Sequence, residues 1–197
     1  MEISSAPYLI DPIEFGLSDL AKNQSKLAFF KGTYTSKVVG SYNAISLIEY
    51  TKSSTESFSV MECEEEIVYL VHLKVTVLPH FPTPTVTQVE VWRKVGGGSS
   101  LSRGLPQYVF EHILMKRYKY VVSDQAQSER GRDFWIDVMD QMTRKQHDVG
   151  VFDVDESTID WCPKGGYSFW IRNKEQESWG KEFKHEFIRF VIRSHHE

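Results

Sequence analysis

The period of the apolar positions changes partway along the chain. In residues 69–77 (YLVHLKVTV), Tyr69, Val71, Leu73, Val75 and Val77 fall on one side, while Leu70, His72, Lys74 and Thr76 fall on the other. Alternation of period two predicts a half-buried antiparallel strand. Residues 58–78 as a whole read as a strand pair broken near Glu64 to Glu66. Residues 26–48 are rich in aromatic and β-branched positions and punctuated by Gly32 and Gly40, which predicts strands joined by short turns. Residues 51–57 read as a polar loop. Pro79, Pro82 and Pro84 make the next stretch a rigid connection, because prolines do not fit inside a sheet. Ahead of all this, residues 11–24 read as a short helix with Asp11 as cap and Pro12 in its first turn.

Beyond the prolines, residues 86–94 read as a strand, and then the period lengthens. Tyr108, Val109, His112, Ile113 and Met115 recur at helical spacing over 106–116. Phe134, Trp135, Val138, Met139 and Met142 form one stripe over 131–143. Between them Tyr118 to Ser123 is a short apolar strand, and Val149 to Val154 is another. Residues 164–193 read as a Gly165-Gly166 turn, a strand over 167–172, a polar loop and a last strand at FIRFVIRS. Antiparallel strands followed by alternating strands and helices predict an α+β fold, with residues 1–197 as a single domain.

Composition changes this picture little. The 197 residues are 41% hydrophobic and 25% charged, which suits a folded domain with a real core. Net charge is −4, so nucleic acid is disfavoured as the main partner. The basic neighbourhood Lys184, His185, Arg189, Arg193, His195 and His196 reads first as a solvated face. Cys63 and Cys162 lack the paired spacing of zinc sites, so no metal is expected. Neither a signal peptide nor a long apolar run is visible, and a cytoplasmic location without membrane attachment is the expectation.

One segment concentrates candidate chemistry. From Val86 to Trp135 the chain reads as strand, glycine-rich loop (VGGGSSLSRG), helix, strand and helix. Free backbone N–H groups and a helix N-terminus are the parts that hold a phosphate by its oxygens. Competing motifs fail: there is no GxSxG elbow, no Walker lysine, and the third glycine of a dinucleotide fingerprint would fall on Leu101. His72 and His112 read as ordinary fold residues.

Arg93-Lys94-Val95-Gly96-Gly97-Gly98 fits Gln/Arg-x-x-Gly-x-Gly/Ala, the signature of the GNAT family of acyl-CoA-dependent N-acyltransferases. Ser128 to Trp135 is in step with that family's second motif, Asn-x-x-Ala-x-x-aliphatic-Tyr, with the key side chains changed. Residues 58–193 therefore resemble the GNAT fold, a mixed and mostly antiparallel sheet flanked by helices, with residues 1–57 unassigned. Residues 120–135 also resemble small bacteriophage-encoded GNAT-like proteins, which would place the chain in a host cytoplasm. The resemblance implies acetyl-CoA as co-substrate, with its pyrophosphate on the loop amides. Two registers fit: Arg93 with Gly96 and Gly98 by motif, or Gly104 at the helix start by geometry. It implies further contacts from the backbone of Val91, Trp92 and Arg93 and from Ser128, at the second motif's Asn position.

Acyl transfer needs a polarised thioester carbonyl, a neutral amine and a protonated leaving thiolate. Amides near Val91 to Arg93 are the candidate oxyanion donors. Glu90 and Asp124 are candidate bases, though each also reads as an ordinary strand or turn carboxylate. Trp135 occupies the family's Tyr position, and an indole N–H gives up no proton at useful pH. Either another group, Tyr108 or Tyr167, is then the candidate acid, or the thiolate leaves unaided. The acceptor amine is unassigned. Two alternatives stay open on the same scaffold: a catalytically silent protein that binds a host or viral macromolecule, and a DNA-base modification enzyme.

Overall fold

The computed structural model of the chain describes residue 17 and residues 19–43, 45–78, 80–93, 104–123, 129–179 and 188–195. Among the described residues, four helices and a mostly antiparallel set of strands make an α+β arrangement. The described residues form two compact units. The first takes in those of 10–76 and 88–117, the second those of 77–87 and 118–197.

In the first unit a helix, α1 (Leu20–Thr33), precedes four antiparallel strands: β1 (Thr35–Tyr42), β2 (Ile45–Ser53), β3 (Glu56–Cys63) and β4 (Glu66–Thr76). The helix corrects the expectation of strands from residue 26. Asp19 caps it, its Oδ1 accepting the Lys22 N–H at 3.0 Å. The expected cap at Asp11 lies outside the described residues. Leu27 and Phe30 bury one turn apart, on the same face as Asn23, which is only 1% exposed. Asn23 is fully paired. Its Nδ2 donates to the carbonyls of Leu17 and Ile67, both at 3.0 Å, and its Oδ1 accepts the Ile67 N–H at 2.7 Å. One side chain thus bonds both backbone groups of a β4 residue, as a neighbouring strand would.

The strands pair in sequence order, with Val38 opposite Ile48, Leu47 opposite Met61 and Val60 opposite Leu70. The expected loop at 51–57 shrinks to a turn at Ser54 and Thr55, since β2 runs to Ser53 and β3 starts at Glu56. The break near Glu64 is a tight turn in which Glu64 and Glu65 both have positive φ. On one face Tyr50, Phe58, Val60, Ile67 and Leu70 pack with Leu27, Phe30 and Trp92. Each fully buried apolar side chain of this kind contributes about 1.5–3 kcal/mol. Ile67 to Val71 are buried on both faces, so the predicted alternation of β4 holds only from Val71 to Lys74.

The opposite face of the strands meets α2, formed by Leu105–Val109, a π-turn at Phe110–Leu114 and Met115–Arg117. Glu49, which points away from the side occupied by its neighbour Tyr50, is 7% exposed. Ser57 Oγ donates to its Oε1 at 2.9 Å and Arg117 Nη1 donates to its Oε2 at 2.8 Å. A buried carboxylate is tolerable only when paired in this way.

β5 (Thr85–Arg93) contributes Thr85–Thr87 to the second unit and the rest of its length to the first. β6 (Tyr120–Val122) pairs with it in parallel, Thr85 opposite Tyr120 and Thr87 opposite Val122. After α3 (Glu129–Arg144) the chain forms β7 (Asp148–Asp153), β8 (Thr158–Trp161), α4 (Tyr167–Trp179) and β9 (Ile188–Arg193). β9 lies antiparallel between β6 and β7, and β8 pairs with the far side of β7. The order is therefore β5-β6-β9-β7-β8, with the last strand in the middle.

The α3 stripe is as its period predicts: Trp135, Val138, Met139 and Met142 are buried, with Phe134 half-buried. The strand expected at 167–172 is instead the start of α4. Tyr167, Trp170 and Ile171 bury at helical spacing, and Gly165 takes φ +77° just before them. On the other face of the strands Phe81 meets Tyr120 and Phe152 edge-on, at 5.0 and 5.1 Å between ring centres. β8 was not foreseen. It closes over Gly150, whose missing Cβ would lie 2.9 Å from the Trp161 ring.

Candidate functional site

Of the residues singled out from sequence, Gly104 and Tyr108 come together at the start of α2. Gly104 holds φ +78°, a conformation costly for residues with a Cβ, and its carbonyl accepts the Tyr108 N–H at 3.0 Å. Tyr108 is half-buried, its ring 5.1 Å from Tyr42 and 4.7 Å from His112. The hydroxyl of Tyr108 and the Cδ1 of Ile113 both lie 3.2 Å from where a Cβ on Gly40 would stand. The hydroxyl of Tyr42 stands 2.8 Å from the corresponding point on Gly104. Two glycines thus let two tyrosines close over the junction of β1 and α2.

Tyr42 and Gly40 carried no signal of a site in the sequence. What could have marked Gly40 is its place inside a strand, where glycine often accompanies a bulge or a close approach. The pairing register of β1 shifts between Val38 and Gly40.

The remaining positions divide. Val91 is half-buried on β5, and the Trp92 side chain is 5% exposed within the core of the first unit. Any contact of Trp92 with a ligand would therefore come from its backbone. The backbone of Glu90 and Arg93 belongs to β5, while their side chains lie outside the described residues. Gly96, Gly98, Asp124 and Ser128 lie outside them altogether. Trp135 is 5% exposed and packs on Phe190 with ring centres 6.2 Å apart. Tyr167, the other candidate acid, donates its hydroxyl to the Ile136 carbonyl at 2.7 Å, so its proton is committed to holding α4 on α3.

Two of the described histidines, His72 and His195, lie against carboxylates. His72 Nε2 lies 2.8 Å from Glu56 Oε1, and its ring stacks on Phe58. A hydrogen bond from Lys52 is the chief cause holding the Glu56 carboxyl below its usual range, with His72 adding to it. His195 Nε2 lies 2.6 Å from Asp148 Oδ2, which also receives Arg193. Burial works to raise the Asp148 carboxyl, but the hydrogen bonds from Arg193 and His195 outweigh it and hold the group below its usual range. Among the described residues no set of three or more His, Cys, Asp or Glu is arranged to hold a metal. Among them, too, no helix is long and apolar enough to cross a membrane.

Compared with known protein families, with curated proteins and with solved structures, the chain has no match.

Proposed function

We propose that this chain is a GNAT-type acyltransferase that moves an acetyl group from acetyl-CoA to an amine. The observation that carries the reading is the strand arrangement of the second unit. A parallel pair, β5 and β6, stands in an otherwise antiparallel set, and the last strand inserts between β6 and β7. A connection containing α2 joins the parallel pair in sequence, and in open α/β sheets ligands bind outside the carboxyl ends of the strands. Those are the ends from which the glycine-rich loop and Asp124 follow in sequence.

In this reading the amine nitrogen attacks the thioester carbonyl, a C–N bond forms, and the C–S bond breaks. Backbone N–H groups near Val91 to Arg93 stabilise the developing oxyanion. Glu90 or Asp124 accepts the amine proton, and Tyr108 protonates the departing thiolate. The loop amides and the turn at Gly104 receive the pyrophosphate.

Isothermal titration with acetyl-CoA tests the reading. Saturable binding in the micromolar range is expected, and no heat at millimolar ligand removes it. The buried Trp135 favours a second reading, a silent member of the same fold that binds a macromolecule. That reading expects no acetylation of any amine in a broad panel and a stable complex in a pull-down.

A further inference from the structure

We propose that His147 and the backbone of His195 form a proton-operated latch, closed while His147 is neutral and opened when it takes up a proton. The latch lies where the chain enters β7 and leaves β9. His147 is placed by the end of α3. Gln146 turns the chain at φ +64°, and the N–H groups of Gln146 and His147 donate to the carbonyls of Thr143 and Met142, both at 3.0 Å. That closing turn fixes the backbone from which the ring projects. The antiparallel register then sets Asp148 opposite Arg193, which brings His195 back alongside His147. The His195 N–H donates to His147 Nδ1 at 3.1 Å.

A backbone N–H always donates, so the bond depends on the state of the ring. Nδ1 accepts only with its lone pair free, which requires the neutral imidazole with its hydrogen on Nε2. A proton on Nδ1 would set one N–H against another. The ring of His195 responds differently. Its Nε2 lies 2.6 Å from Asp148 Oδ2, and it can donate there whether or not its own Nδ1 is protonated. Acid therefore removes the backbone bond and spares the ring contact. Asp148 Oδ2 also receives Arg193 Nε at 2.7 Å, and the Arg193 guanidinium lies over the Trp161 ring at 4.7 Å. The other charged groups on the adjoining segments are Lys145 after α3 and Lys119 ahead of β6, both exposed. Ser194 sets the inner limit of the opening. It is 1% exposed and its N–H donates to the Lys119 carbonyl at 2.8 Å, so β9 stays paired while the backbone beyond it turns away.

NMR on the full chain, labelled with nitrogen-15, tests the proposal. At pH 7.5 His147 should show the unprotonated Nδ1 of the Nε2–H form, and the His195 amide should exchange more slowly than a free amide. One pH unit below the ordinary imidazole value about a tenth of such rings stay neutral. At pH 5.5 the protection of His195, corrected for the intrinsic rate, should therefore fall about fivefold while that of Ser194 holds. His147→Asn puts an acceptor oxygen near the place of Nδ1 that does not titrate in this range, and should keep His195 protected at both pH values. His147→Phe should leave it unprotected at both. An Nδ1–H tautomer at pH 7.5 overturns the proposal. So does wild-type protection that is the same at both pH values, a loss shared by Ser194, or a His147→Asn chain that loses protection with acid as the wild type does.

Discussion

The phenolic oxygen of Tyr42 lies 2.8 Å from the point where a Cβ on Gly104 would stand, and the next ring atom, Cζ, lies at 3.9 Å. The end of β1 and the start of α2 are thus fitted to each other through one oxygen atom. Alanine at 104 would meet that oxygen and also be held at φ +78°. Gly104→Ala is expected to cost about 1–3 kcal/mol in urea unfolding. In a Tyr42→Phe background the cost should fall, because the clash goes while the backbone strain stays. Additive effects in that double-mutant cycle would show that the two residues do not press on each other.

Tyr108→Phe separates binding from chemistry. Under the proposed function it should slow acetyl transfer by about a hundredfold while leaving acetyl-CoA affinity unchanged. Steady-state rates alongside titration heats provide the measurement. An unchanged rate would mean that the thiolate leaves without help from this hydroxyl.

Asn23→Leu keeps the volume of the side chain but strands the N–H and C=O of Ile67. Each buried group left unpaired costs about 1–3 kcal/mol, and the substitution should lower unfolding free energy by roughly 2–4 kcal/mol with an unchanged denaturant slope. A neutral or stabilising result would mean that apolar packing of α1 outweighs its bond to β4.

Asp148 sets a pH dependence. Its folded-state carboxyl titrates below the usual range, so its contribution is complete above the unfolded value and is lost as pH falls through the folded one. Asp148→Asn should therefore melt below the wild type at pH 6, with the gap closing toward pH 2. A gap that stayed constant over that range would show that charge on Asp148 is not what ties β7 to Arg193 and His195.

Legibility from sequence followed the cleanness of each apolar stripe. α2 and α3 could be read because their buried positions are almost all apolar, as at Trp135, Val138, Met139 and Met142. α1 could not, since one of its inward positions is Asn23 and its exposed side carries Phe29. Residues 167–172 misled because a window of six cannot distinguish Tyr167, Trp170 and Ile171 on a helix from aromatic residues in a strand. β8 spans four residues, Thr158–Trp161, too few for any period to register. At the candidate site Tyr108 was visible from its chemistry. Tyr42 was not, because only tertiary packing brings a strand end to a helix that starts more than sixty residues later.

The central place of β9 in the second unit sets an order of events for a chain made from its N-terminus. The meander β1 to β4 can zip neighbour to neighbour as it emerges. β6 and β7 each keep a bare edge until residues 188–193 exist, and bare edges recruit other strands. Nascent or clipped chains lacking β9 would lose the middle of the β6-β9-β7 arrangement rather than its margin. For this protein, a short deletion there amounts to removing a keystone, and self-association is the expected fate of what remains.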